Sequence, residues 1–589
     1  MNYQIKVKQI HIKKGSMYLN IEGFVQCDLP DVDYIPKAKL ILCFENEKED
    51  RRIPFVYETC GKRDGGFWFK GEGRSYLLNQ VFWKTREECL RSHMTFALSC
   101  GNEYEENITV DYSDTEFIIQ KPHFICSLEE DGLYFQKKRW YIAPFPIWKK
   151  ILVFPWRFLK TLLAILLIPW FGLEALASFV GWYQLEKSIT TNHPIRKIIG
   201  HINIQFARLS GSKISIGKIL KNKFIRAYNR EVKRNEIIPN RITFISQRRT
   251  DLTGNFAFVY EKIKDEPGLD IQFLFSTKQP KDMTKEEIRE FCHACAVSKT
   301  IVLDEFTPQI HYLDLREGIT LIQLWHACGA FKTFGFTRLG KPFGSPQGTT
   351  MHRSYDYVTV SSSFCKKCHS EGFGIPTKNV VPTGIPRTDV FFDAEYRAKV
   401  ENEFYGQYPD LKDKKIILFA PTFRGFLKGD AFYPMDKFKI DEVLETLGEE
   451  YAILIKHHPF VTHKHPIPGK YADRVIDLSE NSELNDLMFV SDVIITDYSS
   501  LIFEASLLKV PMLFYVYDLE EYIEDRDFYF DLKMMSPGKL VYSQEELVKA
   551  IKEEDYGLDK MEEFTKLFFD NPDGKATERV AALILDTMK

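Results

Sequence analysis

From Arg241 to the C-terminus, short apolar runs alternate with stretches of helical pattern, and no other feature of this 589-residue chain constrains its fold as strongly. RITFISQ, LDIQFLFST, KTIVLDE, ITLIQLWH, YVTVSS and NVVPTG form one series. From about Lys415, KIILFAPT, YAILIKHHP, RVIDLS, VIITDYSS and PMLFYVY form a second. Apolar runs of this kind suit strands covered on both faces, and parallel neighbours need a helical crossover of about ten to fifteen residues between them. Two series therefore imply two Rossmann-like parallel-sheet units with a cleft between them.

The first 146 residues read differently. MYLNIEGFV, AKLILCF, MTFALSC and TEFIIQ alternate polar and apolar residues between Gly, Asp and Asn clusters, which predicts an antiparallel β domain of sandwich type. Asp31-Val32-Asp33 resembles a metal-binding DxD but sits in an expected turn, so it is set aside. The amino terminus lacks the apolar core and cleavage site of a secretory signal, which points to the cytoplasm.

Residues 147–239 link these parts. Trp148 to Tyr183 is the most apolar stretch of the chain, with Pro169 and Glu174 inside it. A helix or helical hairpin lying in the membrane interface is preferred over a spanning helix, which would put the two ends of the chain on opposite faces of the bilayer. An internal core helix is the third reading. From Lys187 to Arg249 there are 15 Lys or Arg against two acidic residues, Glu231 and Glu236, which suits an anionic surface. Two CxxC pairs, Cys292/Cys295 and Cys365/Cys368, lie in expected helices and read as incidental thiols rather than metal or haem ligands.

Ligands of open α/β sheets bind beyond the carboxyl ends of the strands, and five such corners carry chemistry here. One runs from Leu324 through His326, Ala327, Cys328, Gly329 and Ala330 to Lys332. The others are Gly384 to Asp389 with Arg387, Ala420 to Gly425 with Pro421, Thr422 and Arg424, Lys456-His457-His458-Pro459, and Thr496 to Ser500, where Ser499 and Ser500 open a helix. Together they supply a base, several cationic groups and a helix N-terminus, a set suited to a pyrophosphate and to phosphoryl transfer. No carboxylate pair for a metal is evident.

In order and content, WHACGAFK, GIPRTD, FAPTFRG, KHHP, TDYSSLIFE and RDFYFDLKMMSPGKLV resemble the CDP-glycerol and CDP-ribitol polyol-phosphate transferases of teichoic acid synthesis. The resemblance runs from about Arg241 to the C-terminus. It implies an α/β fold with a GT-B-like pair of Rossmann domains, at 240–395 and 396–589, behind the β domain of 1–146 and the membrane-association segment of 147–239. It implies transfer of a polyol phosphate from a CDP-polyol donor to a lipid-linked teichoic acid primer, with release of CMP, by a peripheral enzyme at the cytoplasmic face of the membrane. No cofactor, metal or nucleic acid is implied. His326 would be the general base, and His458 would stabilise the pyrophosphate. Ala327, Cys328, Gly329, Ala330, Arg387, Pro421, Thr422, Lys456, His457, Ser499 and Ser500 would contact the donor, and Glu504 would hold one of its hydroxyls. HACGAFK and ILFAPTFRG favour ribitol over glycerol. A GT-B glycosyltransferase using a nucleotide sugar, and a catalytically silent scaffold, are the competing readings.

Overall fold

The structure, a computed structural model, describes residues 2–13, 16–26, 38–45, 50–54, 59–63, 66–77, 91–100, 104–120, 124–129 and 131–137, then 216–338, 344–345, 351–425 and 431–589 apart from 481 and 527. Asp31-Val32-Asp33, the apolar stretch Trp148–Tyr183 and the basic residues up to 215 lie outside these residues.

The amino-terminal part contains β1 (Asn2–Lys13), β2 (Ser16–Gln26), β3 (Ala38–Glu45), β4 (Asp50–Pro54), β5 (Thr59–Arg63) and β6 (Gly66–Leu77). It continues with β7 (Arg91–Cys100), β8 (Tyr104–Ile108), β9 (Glu116–Gln120), β10 (Phe124–Glu129) and β11 (Gly132–Lys137). These strands form one sheet in the order β5-β6-β2-β1-β9 and another in the order β10-β11-β7-β3-β4, with β8 beside β7. Among the described residues the pairing departs from the expected antiparallel pattern where β9 returns parallel to β1, from Gln9 opposite Glu116 to Lys13 opposite Gln120, next to a parallel bridge between Lys6 and Asp111. In β1, Ile5 and Val7 are buried, and so is Ile10, which has the opposite parity. An irregularity between Val7 and Gln9 shifts the register by one and keeps the apolar residues on one face.

The carboxyl-terminal part is built as the alternating pattern requires. Its first sheet runs β13 (Asp270–Phe275), β12 (Ile238–Ser246), β14 (Ser298–Leu303), β15 (Thr320–Gln323), β16 (Tyr357–Thr359), β17 (Val380–Val381). The second runs β20 (Val475–Asp477), β19 (Tyr451–Ile455), β18 (Lys415–Phe419), β21 (Val493–Thr496), β22 (Met512–Tyr515), β23 (Lys539–Val541). All ladders in both sheets are parallel. The second order, third-second-first-fourth-fifth-sixth along the chain, is that of a dinucleotide-binding sheet, and its winding reverses between β18 and β21. The first sheet reverses between β12 and β14. Burial explains the composition: every residue of β19, β21 and β22 is buried, as covered strands demand.

The helices follow from local signals. Lys285–Val297 starts at a capping box between Thr284 and Glu287 and buries Ile288, Phe291, Cys292 and Cys295, a helical stripe. That stripe accounts for one CxxC pair. Cys365 and Cys368 are likewise buried on the helix Phe364–Phe373.

Two elements lie across the boundaries expected from sequence. The helix Ile216–Val232, within the segment assigned to membrane association, buries Phe224 and Tyr228 in the core beneath the first sheet. The last helix, Ala576–Asp586, leaves the second sheet and packs Val580, Ala581 and Ile584 against Ile242, Phe244 and Ile322 of the first. The Asp389 carboxylate accepts from the backbone N–H groups of Ala576 and Thr577 at 2.9 and 2.7 Å, fixing where that helix begins. Among the described residues, no helix is long and apolar enough to cross a membrane.

Candidate active site between the two parallel sheets

Both sheets point the carboxyl ends of their strands at one cavity of about 410 Å³. The first unit contributes Arg248, Trp325, His326, Ala327, Cys328, Gly329, Ala330 and Lys332 to its lining, along with His369. Pro421, Thr422, His458, Ser499 and Ser500 come from the second. Ten of the fourteen residues singled out from sequence thus share one space.

His326 is placed by a strained turn. Trp325, just beyond β15, adopts φ +58°, a left-handed conformation costly for a bulky residue. The Gln323 side chain accepts from the Trp325 N–H at 2.8 Å, and the Asn255 side chain donates to the Trp325 carbonyl at 2.9 Å. The turn sends the next side chain into the cleft, where His326 Nδ1 stands 3.2 Å from Glu305 Oε2. Arg248 Nη1 lies 3.2 Å from the other oxygen of Glu305. Burial raises the Glu305 carboxyl, but His326, Arg248 and Arg249 together outweigh it and hold it below the ordinary range.

Gly329 joins the halves. It has φ +63°, and a Cβ there would stand 2.3 Å from the ring of Phe503 on the opposing helix Leu501–Leu508. Only glycine allows the corner of the first unit to lie on the helix that begins at Ser500.

Opposite His326, His458 Nδ1 accepts from the Phe460 N–H at 3.1 Å. The neutral ring therefore carries its proton on Nε2. Burial, aided by the cations Arg248 and Lys332, lowers its pKa to about 4. It is a neutral donor beside two positive charges, an arrangement that suits phosphate oxygens. The Thr422 Oγ1 hydroxyl is buried at the cavity wall without a protein partner. Its backbone N–H and that of Tyr498 donate to Asp497 Oδ1 at 2.7 and 2.6 Å, so one carboxylate locks the β18 and β21 corners together where the winding reverses.

The other four residues are outside that lining, although Arg387 and Glu504 both interact with Cys328, which belongs to it. Arg387 is ion-paired with Glu504 across the two units, and the Glu504 side chain is 2% exposed. The arginine takes Oε1 of Glu504, while Oε2 is buried without a hydrogen-bond partner. Lys456 Nζ donates to the carbonyls of Leu478 and Ser479 at 2.9 and 3.1 Å and also to that of Ser482, holding the loop after β20. His457 turns into the core, where its Nε2 lies 2.9 Å from His465 Nδ1 beneath Phe419 and Tyr433. Beyond the end of β19 at Ile455 the two histidines of KHHP diverge, His457 into the core and His458 to the cleft. Arg424 is likewise committed, donating to Asp518 at 2.6 and 2.9 Å and to Asp497 at 3.0 Å. The cations lining the cavity are Arg248 and Lys332. Arg248 lies two residues beyond the first strand of its unit, so the strand-end rule applied to RITFISQRR would have found it. Glu305 likewise closes KTIVLDE.

Comparison with known proteins shows what the chain is similar to. The family described as CDP-Glycerol:Poly(glycerophosphate) glycerophosphotransferase matches residues 227–586. A teichoic acid poly(ribitol-phosphate) polymerase of Bacillus spizizenii is 45% identical over 347 residues, which are 59% of this chain and 56% of that protein. The chain thus spans about half the length of that polymerase. A teichoic acid ribitol-phosphate primase of the same species is 37% identical over 387 residues, 63% of this chain and 97% of the primase. The solved structure of the wall teichoic acid polymerase TagF superposes with a TM-score of 0.51 at 24% identity, over 67% of this chain and 97% of that one. At that identity the likeness shows the fold alone.

Proposed function

The chain belongs to the CDP-glycerol:poly(glycerophosphate) glycerophosphotransferase family, and on that premise we propose that it moves a polyol phosphate from a CDP-polyol to the terminal hydroxyl of a lipid-linked teichoic acid chain, releasing CMP. Ribitol phosphate is the favoured unit. The relatives named for ribitol phosphate are 37–45% identical, whereas the polymerase, transferase and primases named for glycerol phosphate are 25–32% identical.

The observation that carries the reading is the shared cavity, with His326 from one sheet and His458, Ser499 and Ser500 from the other. In the reaction, the acceptor oxygen attacks the phosphorus that bears the donor polyol, and the bond from that phosphorus to the bridging oxygen breaks in line. His326 takes the hydroxyl proton, and CMP departs with the electron pair. Charge growing on the pyrophosphate meets the His458 N–H, the start of the Ser500 helix, Thr422, Lys332 and Arg248. Ala327, Cys328, Gly329, Ala330 and Pro421 wall the site. Arg387, Lys456, His457 and Glu504 act one layer away, holding the corners.

On this reading the sheets are a GT-B-like pair at 240–395 and 396–589, preceded by a sandwich-like domain at 1–146 and a membrane-association segment at 147–239. Arg226, Arg230, Lys233 and Arg234 are exposed at the end of that segment and support a peripheral position on the anionic cytoplasmic leaflet.

The test is purified full-length protein with a lipid-linked primer and, separately, CDP-ribitol or CDP-glycerol, scored by CMP release and product mass. CMP release with His326→Ala slowed by about 10² to 10⁴-fold is expected. Near-normal turnover of that variant removes His326 as the base. Release of UDP or GDP from a nucleotide sugar instead would replace the donor assignment.

A further inference from the structure

We infer that Glu305 is a positioning residue that holds His326 in the tautomer and orientation needed to accept a proton, an inference that rests on the base assignment above. Glu305 follows β14 at the point where the first sheet reverses its winding, and its side chain is 9% exposed. One carboxylate oxygen lies 3.2 Å from His326 Nδ1, and the other lies 3.2 Å from Arg248.

An imidazole without a fixed neighbour presents either nitrogen, protonated or not, to the cleft. The 3.2 Å contact is a close approach of charge and not an aligned hydrogen bond, yet a carboxylate repels a lone pair and attracts an N–H, so beside Nδ1 it favours the Nδ1–H tautomer. That leaves the Nε2 lone pair for the acceptor hydroxyl. The ionised state is secured from several sides: Arg248 and Arg249 reinforce His326 against the cost of burial and keep the carboxyl below its ordinary range.

Gln323 ties the two partners together. Its Nε2 donates to the Glu305 carbonyl at 3.1 Å, while its Oε1 accepts from the Trp325 N–H at 2.8 Å. One buried amide therefore fixes both the backbone that carries the carboxylate and the left-handed turn that carries the imidazole. A carboxylate serving only as a partner for Arg248 would not need this second tether.

The experiment is a double-mutant cycle on the full-length protein with CDP-ribitol and primer. An amide at position 305 donates as well as accepts and permits the wrong tautomer, so Glu305→Gln is expected to lower kcat by about 10²-fold, within the range of general-base contributions. The same change removes the negative partner of Arg248, so the deciding readout is the coupling to His326 and not the KM for the CDP-polyol. Because Glu305 acts through His326, the variant carrying both Glu305→Gln and His326→Ala should be no slower than His326→Ala alone. A Glu305→Gln enzyme with near-wild-type kcat overturns the inference while leaving the base in place. So does a double variant slowed by the full product of the two single effects. A near-normal His326→Ala enzyme removes the base assignment itself, a separate outcome. If Glu305→Gln does not fold, nitrogen NMR of the histidine-labelled wild type decides: a proton on His326 Nδ1 supports the inference, and one on Nε2 alone overturns it.

Discussion

Replacing Gly329 with alanine tests whether contact between the two units, rather than either unit alone, makes the site. The left-handed backbone there costs an L-residue about 1–2 kcal/mol. The new Cβ would lie 2.3 Å from two carbons of the Phe503 ring, so ring and methyl must separate by about 1.2 Å to reach ordinary contact at about 3.5 Å. The ring has no slack, being fully buried and packed on Phe564 at 5.4 Å and Phe568 at 4.7 Å. Overpacking of this kind costs about 1–3 kcal/mol, so the total is about 2–5 kcal/mol. The strain is relieved by moving the Leu501–Leu508 helix away, which carries Ser499 and Ser500 from His326. Thermal unfolding should fall, and kcat/KM for the CDP-polyol should fall more than tenfold. Adding Phe503→Leu, which trims the ring that clashes, should restore part of both. An alanine variant with wild-type stability and turnover would refute the claim that this contact sets the cleft.

Arg387→Leu should destabilise the chain by about 3–5 kcal/mol in urea, because it strands the buried Glu504 carboxylate. Pairing it with Glu504→Met should recover most of that loss, and a single variant as mild as the pair would show that no charge had been stranded. Stability should also depend on pH: burial holds His369, His457, His458 and His465 at about 4 in the folded chain, whereas the unfolded chain binds their protons near 6.5. The unfolded state then holds more protons between these values. This contribution is complete above about pH 6.5 and is lost as pH falls towards 4, by about 1.4 kcal/mol per pH unit for each proton taken up. A urea midpoint that does not change between pH 7 and 5 would contradict it.

The central strands of the two parallel sheets were legible because burial on both faces leaves no polar alternation to confuse them, and the edge strand β13 because its apolar run persists although none of its residues is buried. Every apolar run from RITFISQ to PMLFYVY contains a strand. β23 was not legible, since three residues carry no period. The destination of the last helix was invisible for another reason: Val580, Ala581 and Ile584 make an apolar face, but nothing local says which sheet covers it. The parallel return of β9 onto β1 is equally a matter of topology, joining residues more than a hundred positions apart.

The same distinction separates the cations that face the cleft from those that do not. Arg387, Arg424 and Arg248 all follow a strand or tight turn and carry the same local signal. Arg387 meets Glu504 from 117 residues away and Arg424 meets Asp518 from 94 away, and each is held as structure. Arg248 also meets a carboxylate, but Glu305 has a second oxygen committed towards His326, so the arginine lies over the cavity, its side chain 60% exposed, rather than in a closed pair. Positive charge for a phosphate therefore remains where the carboxylates within reach are too few or too occupied to neutralise it. For Arg387 that balance is set by the docking of the two sheets, and for Arg424 and Arg248 by the folding of their own unit. Residue type marks the corners, but tertiary packing decides which of them can do chemistry.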